Sequence, residues 1–305
     1  MSVDIAVICP FGADGGLISK AVSLTDGAVR VLVPKSQAQI AIEWGATYIH
    51  TLPDAVCISD EGAFASWLAD KIRNWGDTVV LAPATVPMRN IMPMTAWYLG
   101  AGLTADCTAL SLENGSLLQT RPAFGNNMMA DIRTMSPIQM ATVRPNVFRP
   151  QSGPAKQAEI FSESFTCSDG PVTIREFAPF TEGEPLGQAD IIIAGGLGVG
   201  SADGFSKLSA LAEKLGAAVA ASRSAVDAGF APYRCQVGMT GVTVSPKLYI
   251  AVGISGAVQH LSGMSGAETV IAINSDPRAP IFDYADYGIV GDWESVIDHV
   301  WEELL

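Results

Sequence analysis

Short apolar segments, each followed by small or hydrogen-bonding residues, recur at close intervals along the last third of this sequence. They predict strands over residues 191–194, 217–221, 248–252, 270–273 and 288–290. Helical segments follow the first strand and close the chain, over residues 205–215 and 293–305. Strands that alternate with helices predict a parallel sheet covered by helices on both faces. We therefore expect a doubly wound, flavodoxin-like or Rossmann-like domain over residues 191–305.

The first half shows a similar alternation, which then fades. Strands are predicted over residues 4–9, 29–33, 48–52 and 78–83, and helices over 38–44 and 64–75. Between residues 104 and 149 we expect antiparallel strands at a sheet edge, because polar turn residues separate extended runs there. Residues 168–190 are polar and rich in Pro and Gly, which predicts a linker. The expected organisation is an N-terminal α/β domain over 1–167 that contacts a partner subunit, this linker, and the C-terminal domain.

Composition and charge exclude several classes of protein. With 49% hydrophobic and 16% charged residues among 305, the chain is not disordered and is long enough for two domains. Its net charge of −13, without a cluster of Lys or Arg, argues against nucleic-acid binding. No apolar stretch approaches the roughly 18 residues of a membrane span, and the N-terminus lacks the basic region of an export signal. We expect a cytoplasmic protein that does not insert into membranes.

Sulfur and imidazole side chains are too scattered for a metal site. The cysteines are odd in number and lie far apart without a CxxC motif, at Cys9, Cys57, Cys107, Cys167 and Cys235. The three histidines are equally dispersed. This pattern indicates reduced, inert thiols and neither a disulfide framework nor a zinc site.

The residues that follow the C-terminal strands indicate a nucleotide-type ligand, because ligands of open α/β sheets bind beyond the carboxyl ends of the strands. Those ends carry the segments 195–201, 222–223, 253–256, 274–276 and 291–292, which are rich in Gly, Ser, Asn and Asp. Glycines let backbone N–H groups approach a phosphate. The run at 195–200 has neither a P-loop lysine nor the GxGxxG spacing, and Ser222-Arg223 stands where an NAD site needs an acid. These residues leave FAD, FMN or, less well, NADP.

Three longer segments carry a resemblance to a known family. They read ASRSAVDAG at 221–229, QVGMTGVTVSPKLYIAVGISGAVQHLSGM at 236–264 and AINSDPRAPIFDYADYGIVGDW at 272–293. They closely resemble the α subunit of electron-transfer flavoprotein, and RPAFGNN at 121–127 and QMATVRP at 139–145 resemble it more weakly. The resemblance implies an α subunit that pairs with a β subunit in a 1:1 complex and holds FAD in its C-terminal domain. It also implies electron transfer between an acyl-CoA-type or other flavin dehydrogenase and a downstream acceptor.

The resemblance also implies the residues that contact FAD. They are Ser222, Arg223, Gln236, Val237, Gly238, Met239, Thr240, Ser255, Gly256, Ala257, Val258, Gln259, His260, Asn274, Asp292 and Trp293. Within this set, Arg223 and the Thr240 hydroxyl would lie near the flavin N5 edge, and His260 would lie toward O2. Reduction adds negative charge to the flavin, which a guanidinium and an imidazole donor would favour. No catalytic residue of this chain's own is implied.

The sequence departs from the family pattern at a few positions. Leu197 stands where the family has an arginine, and Met239 where it has a glutamine. The N–H groups of residues 198–201, the N-terminus of the following helix or a partner side chain could replace the missing charge. Two alternatives therefore stay open: an NADP- or FMN-binding oxidoreductase on the same fold, and a cofactor-free structural subunit. Whether the complex bifurcates electrons is also open.

Overall fold

A computed structural model describes residues 3–54, 58, 60–123, 128–153, 157–166 and 186–303. The chain divides into two compact units, residues 1–179 and 180–305, which we call unit 1 and unit 2. Most of the predicted linker at 168–190 lies outside the described residues, and its end contains a short 3-10 turn at Leu186–Gln188. None of the described helices is long and apolar enough to cross a membrane.

Unit 1 is built on a seven-stranded parallel sheet. The described strands of unit 1, in this sheet and outside it, are β1 (Ile5–Ile8), β2 (Val29–Pro34), β3 (Tyr48–Leu52), β4 (Val79–Pro83), β5 (Gly102–Cys107), β6 (Ala109–Glu113), β7 (Ser116–Ala123), β8 (Met128–Ile132), β9 (Gln139–Val143) and β10 (Glu159–Ser162). Its helices are α1 (Gly15–Leu24), α2 (Ala38–Glu43), α3 (Glu61–Trp75) and α4 (Val86–Leu99). The sheet order is β10-β3-β2-β1-β4-β9-β5, and its central strands are buried on both faces, as a parallel sheet requires.

The antiparallel strands expected between residues 104 and 149 exist, but not at the edge of this sheet. β6, β7 and β8 form a separate three-stranded antiparallel sheet, whereas β5 and β9 join the main sheet in parallel. The expectation was wrong because the connection between β5 and β9 is this small sheet and not a helix. A tight turn joins β6 to β7, where Asn114 and Gly115 have φ values of 52° and 79°.

Three elements of unit 1 were not predicted: helices α1 and α4 and strand β10. Gly15 and Gly16 begin α1, and glycine in the sequence argues against a helix. Helix α4 contains Pro87 in its first turn and Pro93 in its interior, and proline in the sequence argues against a helix. A first turn tolerates proline, since its N–H groups have no intrahelical partner. β10 pairs with β3 at the edge of the sheet, and all four of its residues are exposed, so its sequence shows no alternation.

Unit 2 holds a five-stranded parallel sheet. Its strands are β11 (Ile191–Gly195), β12 (Ala218–Ala221), β13 (Leu248–Val252), β14 (Thr269–Asn274) and β15 (Tyr287–Val290). Its helices are α5 (Ala202–Leu215), α6 (Arg223–Asp227), α7 (Val258–Met264) and α8 (Trp293–Glu303). The spatial order β12-β11-β13-β14-β15 is the flavodoxin-like order, which confirms the expected fold class.

The helices of unit 2 cover both faces of its sheet. Phe205 of α5 packs with Ile193 on one face, while Leu261 of α7 packs with Tyr249 on the other. The connections that leave β11 and β13 therefore run to opposite faces. A crevice opens where neighbouring connections diverge in this way, at the carboxyl ends of these two strands.

The described cysteines are free thiols at Cys9, Cys107 and Cys235. Burial raises the pKa of Cys9 and of Cys107 to about 12. Cys57 and Cys167 lie outside the described residues. No group of three His, Cys, Asp or Glu that could hold a metal occurs among the residues that the structure describes.

Candidate functional site

A cleft of about 550 Å³ lies at the carboxyl ends of the unit 2 strands. Most of the predicted cofactor contacts line it: Ser222, Arg223, Gln236, Val237, Gly238, Met239, Thr240, Ser255, Ala257, Gln259, His260 and Asn274. These residues follow β12, β13 and β14, so the topology of the sheet brings them to one edge.

The loops after β11 and β13 touch through their backbones. Gly198 N–H donates to the carbonyl of Gly253 at 3.0 Å, and a Cβ atom on Gly196 would lie 2.0 Å from the same oxygen. Gly253 itself has a φ of 61°, which favours glycine. Only glycine at these positions allows the two loops to form the floor between β11 and β13.

The amides of residues 198–200 are used inside the protein. Gly198 donates to Gly253, Val199 to Gly196 and Gly200 to Leu197. The expectation that these N–H groups replace the missing arginine is therefore wrong for all three. Leu197 lines the cleft and is 54% exposed.

Free amides are found instead in the loop before α7. Among the described residues, the N–H groups of Ser255 and Ala257 meet no acceptor, and both residues line the cleft. Backbone N–H groups without partners bind anions well. This loop is the part of the cleft best suited to a phosphate.

Arg223 is the cation of the described cleft lining. Arg223 is the first residue of α6, and Ser222 caps this helix by accepting a hydrogen bond from Ala225 N–H at 3.3 Å. The guanidinium lies 3.4 Å from the Asp227 carboxylate, and its side chain is 68% exposed. This exposed ion pair is weak, so Arg223 can exchange it for a ligand.

The loop from Gln236 to Val242 holds Thr240 in place. Gln236 is buried and donates from Nε2 to Thr240 Oγ1 at 3.0 Å, while Tyr233 donates its hydroxyl to the Thr240 carbonyl at 2.8 Å. Because Thr240 Oγ1 accepts from Gln236, its own proton remains available to a ligand. Met239 is exposed at the same loop and offers an apolar contact.

His260 is buried in the wall of the cleft. Its Nε2 lies 2.9 Å from the hydroxyl of Tyr249, and its Nδ1 has no aligned hydrogen-bond partner among the described residues. Burial lowers the pKa of His260 to about 4, although the backbone of Val237 acts in the opposite direction. The ring is therefore neutral at pH 7 and acts as a dipole, not as a cation.

Asn274 and Asp276 shape the far end of the cleft. Asn274 donates to the Ile254 carbonyl at 2.8 Å and accepts from Asp276 N–H at 3.0 Å. The Asp276 carboxylate accepts from Arg278 N–H at 3.0 Å and lines the cleft as well. Asp276 therefore both stabilises the turn after β14 and lines the cleft.

Four of the predicted contacts do not line the cleft. A Cβ on Gly256 would lie 2.3 Å from Ile281 N, so this glycine serves close packing. Val258 begins α7, and Asp292 caps α8 by accepting from Ser295 N–H at 3.1 Å. Trp293 packs in the core of unit 2.

Sequence reasoning also left several lining residues out of the predicted contacts. They are Leu197, Gly198, Ser224, Gly253, Ile254, Asp276, Ala279 and Pro280. The glycine runs after β11 and β13 mark Gly198 and Gly253, while Ala279 and Pro280 show no signal beyond the resemblance.

The cleft suits a long ligand that has an anionic part and a hydrogen-bonding ring system. The Thr240 hydroxyl lies in the loop from Gln236 to Val242, and the His260 ring lies on the neighbouring helix α7. The free amides of Ser255 and Ala257 lie in the loop before α7. These donors fit a flavin dinucleotide.

Comparisons with known proteins cover both units. Residues 12–166 match the sequence profile described as an electron transfer flavoprotein domain, and residues 185–265 match the one described as an electron transfer flavoprotein FAD-binding domain. The electron transfer flavoprotein subunit alpha of Thermoanaerobacterium thermosaccharolyticum is 43% identical over 86% of this chain and 82% of its own length. That of Bacillus subtilis is 38% identical over 91% and 88%. Protein FixB of Azotobacter vinelandii is 42% identical over 77% and 68%.

Proposed function

Because this chain belongs to the electron transfer flavoprotein α-subunit family, as its sequence resemblance predicts, we propose that it binds FAD in the cleft of unit 2 and carries electrons together with a β subunit. The single observation that best supports this is the cleft itself. Its donors follow β12 and β13 and converge at the carboxyl edge of the sheet, within the segment that matches the FAD-binding profile.

The side chains divide the binding of FAD between them. The free amides of Ser255 and Ala257 would hold the diphosphate. Thr240 would donate its hydroxyl proton to the ring system, and Arg223 would place a positive charge beside it. Bound FAD would supply reversible one- and two-electron chemistry. Thr240 and Arg223 favour added negative charge on the ring system, which raises its affinity for electrons.

The proposed role is that of a carrier and not of an enzyme that transforms a substrate. Among the described residues that line the cleft, no cysteine is present, and the one histidine is neutral and bonded to Tyr249. The carboxylate of Asp276 is engaged with a backbone amide. Electrons would come from an acyl-CoA-type or other flavin dehydrogenase.

Unit 1 is the proposed contact surface for the β subunit. Trp97 and Val86 are 77% and 76% exposed on the outer face of α4, and Met128 and Met129 are exposed on β8. Large exposed apolar side chains of this kind favour association. We expect a 1:1 complex that buries more than about 2,000 Å².

Co-expression with a β subunit tests the proposal. The expected result is a yellow 1:1 complex on gel filtration that releases FAD when denatured. Release of FMN would support the oxidoreductase alternative, and a colourless complex would support the structural-subunit alternative. A soluble, monodisperse, FAD-loaded monomer of this chain alone would contradict the obligate pairing.

A further inference from the structure

Tyr249 is a buried residue behind the cleft that the proposed function does not use. It lies on β13, has no exposed surface and packs in the core of unit 2. Within the described part of the chain, its hydroxyl meets one hydrogen-bonding group, Nε2 of His260 at 2.9 Å. Burial also raises the pKa of Tyr249, so the hydroxyl keeps its proton.

The direction of this hydrogen bond determines where His260 carries its proton. A neutral imidazole has one N–H and one acceptor nitrogen, and the partner of one nitrogen decides the state of the other. A phenol is a better donor than acceptor, whereas the unprotonated imidazole nitrogen is a strong acceptor. Tyr249 therefore donates to Nε2, which leaves the proton on Nδ1. The backbone of Val237 lies beside the ring and opposes the lowering of the pKa of His260.

We propose that Tyr249 is a positioning residue that fixes His260 as the neutral Nδ1–H tautomer, so that the wall of the cleft offers the ligand a donor and not an acceptor. Nδ1 is buried without a well-aligned hydrogen-bond partner among the described residues, and the Val237 backbone beside the ring satisfies it only weakly, which is costly for a buried polar group. Nδ1 has less than 1 Å² of accessible surface, so a ligand acceptor removes that cost only if the ring or the neighbouring loop shifts to meet it. The identity of the ligand as FAD rests on the proposed function.

Imidazole ¹⁵N NMR of the cofactor-free complex tests the tautomer directly. Only this chain carries the label, and its three histidines, His50, His260 and His299, give a simple spectrum. The expected result is a protonated Nδ1 and an unprotonated Nε2 for His260, unchanged between pH 6 and 8. An Nε2–H tautomer in the unsubstituted protein would overturn the proposal without any variant being needed.

Tyr249→Phe removes the hydroxyl and keeps the ring. The expected result is a rise in the Nε2–H tautomer of His260 and an FAD dissociation constant about two- to tenfold higher, the value of one neutral hydrogen bond. Tyr287→Phe, at an exposed tyrosine on β15 away from the cleft, is the control and changes neither.

The outcomes separate this inference from the proposed function. A weaker affinity for FAD with an unchanged tautomer would assign Tyr249 a packing role only and overturn the inference. An unsubstituted complex that takes up no FAD would overturn the proposed function, together with the part of the inference that concerns the ligand. The tautomer measurement would still decide the part that concerns His260.

Discussion

Nδ1 of His50 lies 2.7 Å from Oε1 of Glu163, although 113 residues separate them in the chain. His50 is on β3, and Glu163 directly follows the edge strand β10. Lys71 of α3 forms an ion pair with the other Glu163 oxygen, and Arg30 of β2 contacts Nε2 of His50 at 3.2 Å. An arginine can only donate, so the His50 ring is neutral and its Nδ1–H donates to Glu163. The two contacts of Glu163 therefore stabilise the pairing of β10 with the sheet.

Replacing Glu163 is therefore expected to loosen β10. Glu163→Gln removes the charge that faces Lys71 and weakens the bond from His50, at a cost of about 1–2 kcal/mol. Hydrogen exchange at residues 159–162 measures this as faster opening. Asp70→Asn is the matched control, because Asp70 pairs with Arg73 in an exposed i,i+3 contact, and it should change stability by less than about 0.5 kcal/mol. Equal exchange in both variants would contradict the role of Glu163.

Acid should destabilise unit 2 through His260. The folded-state pKa is about 4 and the ordinary value is 6.5, so the unfolded chain binds a proton in this interval and the folded chain does not. The contribution of neutral His260 to the free energy of unfolding is therefore fully present above pH 6.5. It is lost as the pH decreases toward 4, by about 3 kcal/mol at most. Denaturation of His260→Gln at several pH values should show a flatter profile, while His299→Gln, at an exposed site, should follow the unsubstituted protein. A parallel decline in all three would argue against this origin.

Arg223→Ala should lower the first reduction potential of bound FAD. A hydrogen bond to a charged group is worth about 1.5–3 kcal/mol, and exposure of the side chain favours the lower end, so the expected shift is about 60 mV. Spectroelectrochemical titration measures it. Arg223→Lys keeps the charge, so its first reduction potential should lie between those of Arg223→Ala and the unsubstituted protein. A shift below about 15 mV, a quarter of a tenfold change, would show that Arg223 does not act on the flavin.

Leu197→Arg should strengthen FAD binding. The amides that could have replaced a charge at this position are already bonded within the protein, so a guanidinium adds an attraction that is otherwise lacking. An exposed ion pair is worth at most about 1 kcal/mol, or about a fivefold change in affinity. Titration at low and high salt checks this, since screening should remove the gain. Leu197→Gln should give no gain, and an arginine effect that persists in high salt would contradict the electrostatic explanation.

Gly196→Ala should prevent the loops after β11 and β13 from closing. The added Cβ would meet the Gly253 carbonyl at 2.0 Å, and neither backbone can yield without moving a strand end. We expect a loss of about 1–3 kcal/mol in unit 2 and greatly reduced FAD uptake, measured by thermal unfolding and absorbance. At Gly187 an added Cβ meets no atom within 4 Å, so Gly187→Ala should bind FAD normally. Normal FAD uptake by Gly196→Ala would show that loop contact is dispensable.

The sequence predicted the parts of the fold in which local pattern and global topology agree. The first four strands of unit 2 are apolar runs separated by helices, and the glycines after them mark the sheet edge where the cleft lies. In unit 1 the parallel pairing of β5 with β9 could not be predicted, because no helix connects them. Helix α4 was hidden by its prolines, Pro87 in the first turn, where proline is tolerated, and Pro93 in the interior, where it is not expected.

Within the site, residue types were easier to predict than their partners. Ser222, Arg223 and Thr240 lie at the cleft as the resemblance implies. The pairing of Tyr249 with His260 and the internal use of the amides at 198–200 depend on side-chain and loop geometry that spacing alone does not encode. Asp292 and Trp293 follow a strand end as expected, yet one caps a helix and the other fills the core.

The burial of Cys9 and Cys107 makes both thiols unreactive. With a pKa of about 12, roughly one thiol in 10⁵ is ionised at pH 7, and only the thiolate reacts with peroxides, disulfides or alkylating agents. A carrier that meets oxygen while its cofactor is reduced generates such oxidants close by. These two positions would then stay reduced through many turnovers without a protecting thiol in solution, so oxidative ageing of the protein should begin at other side chains.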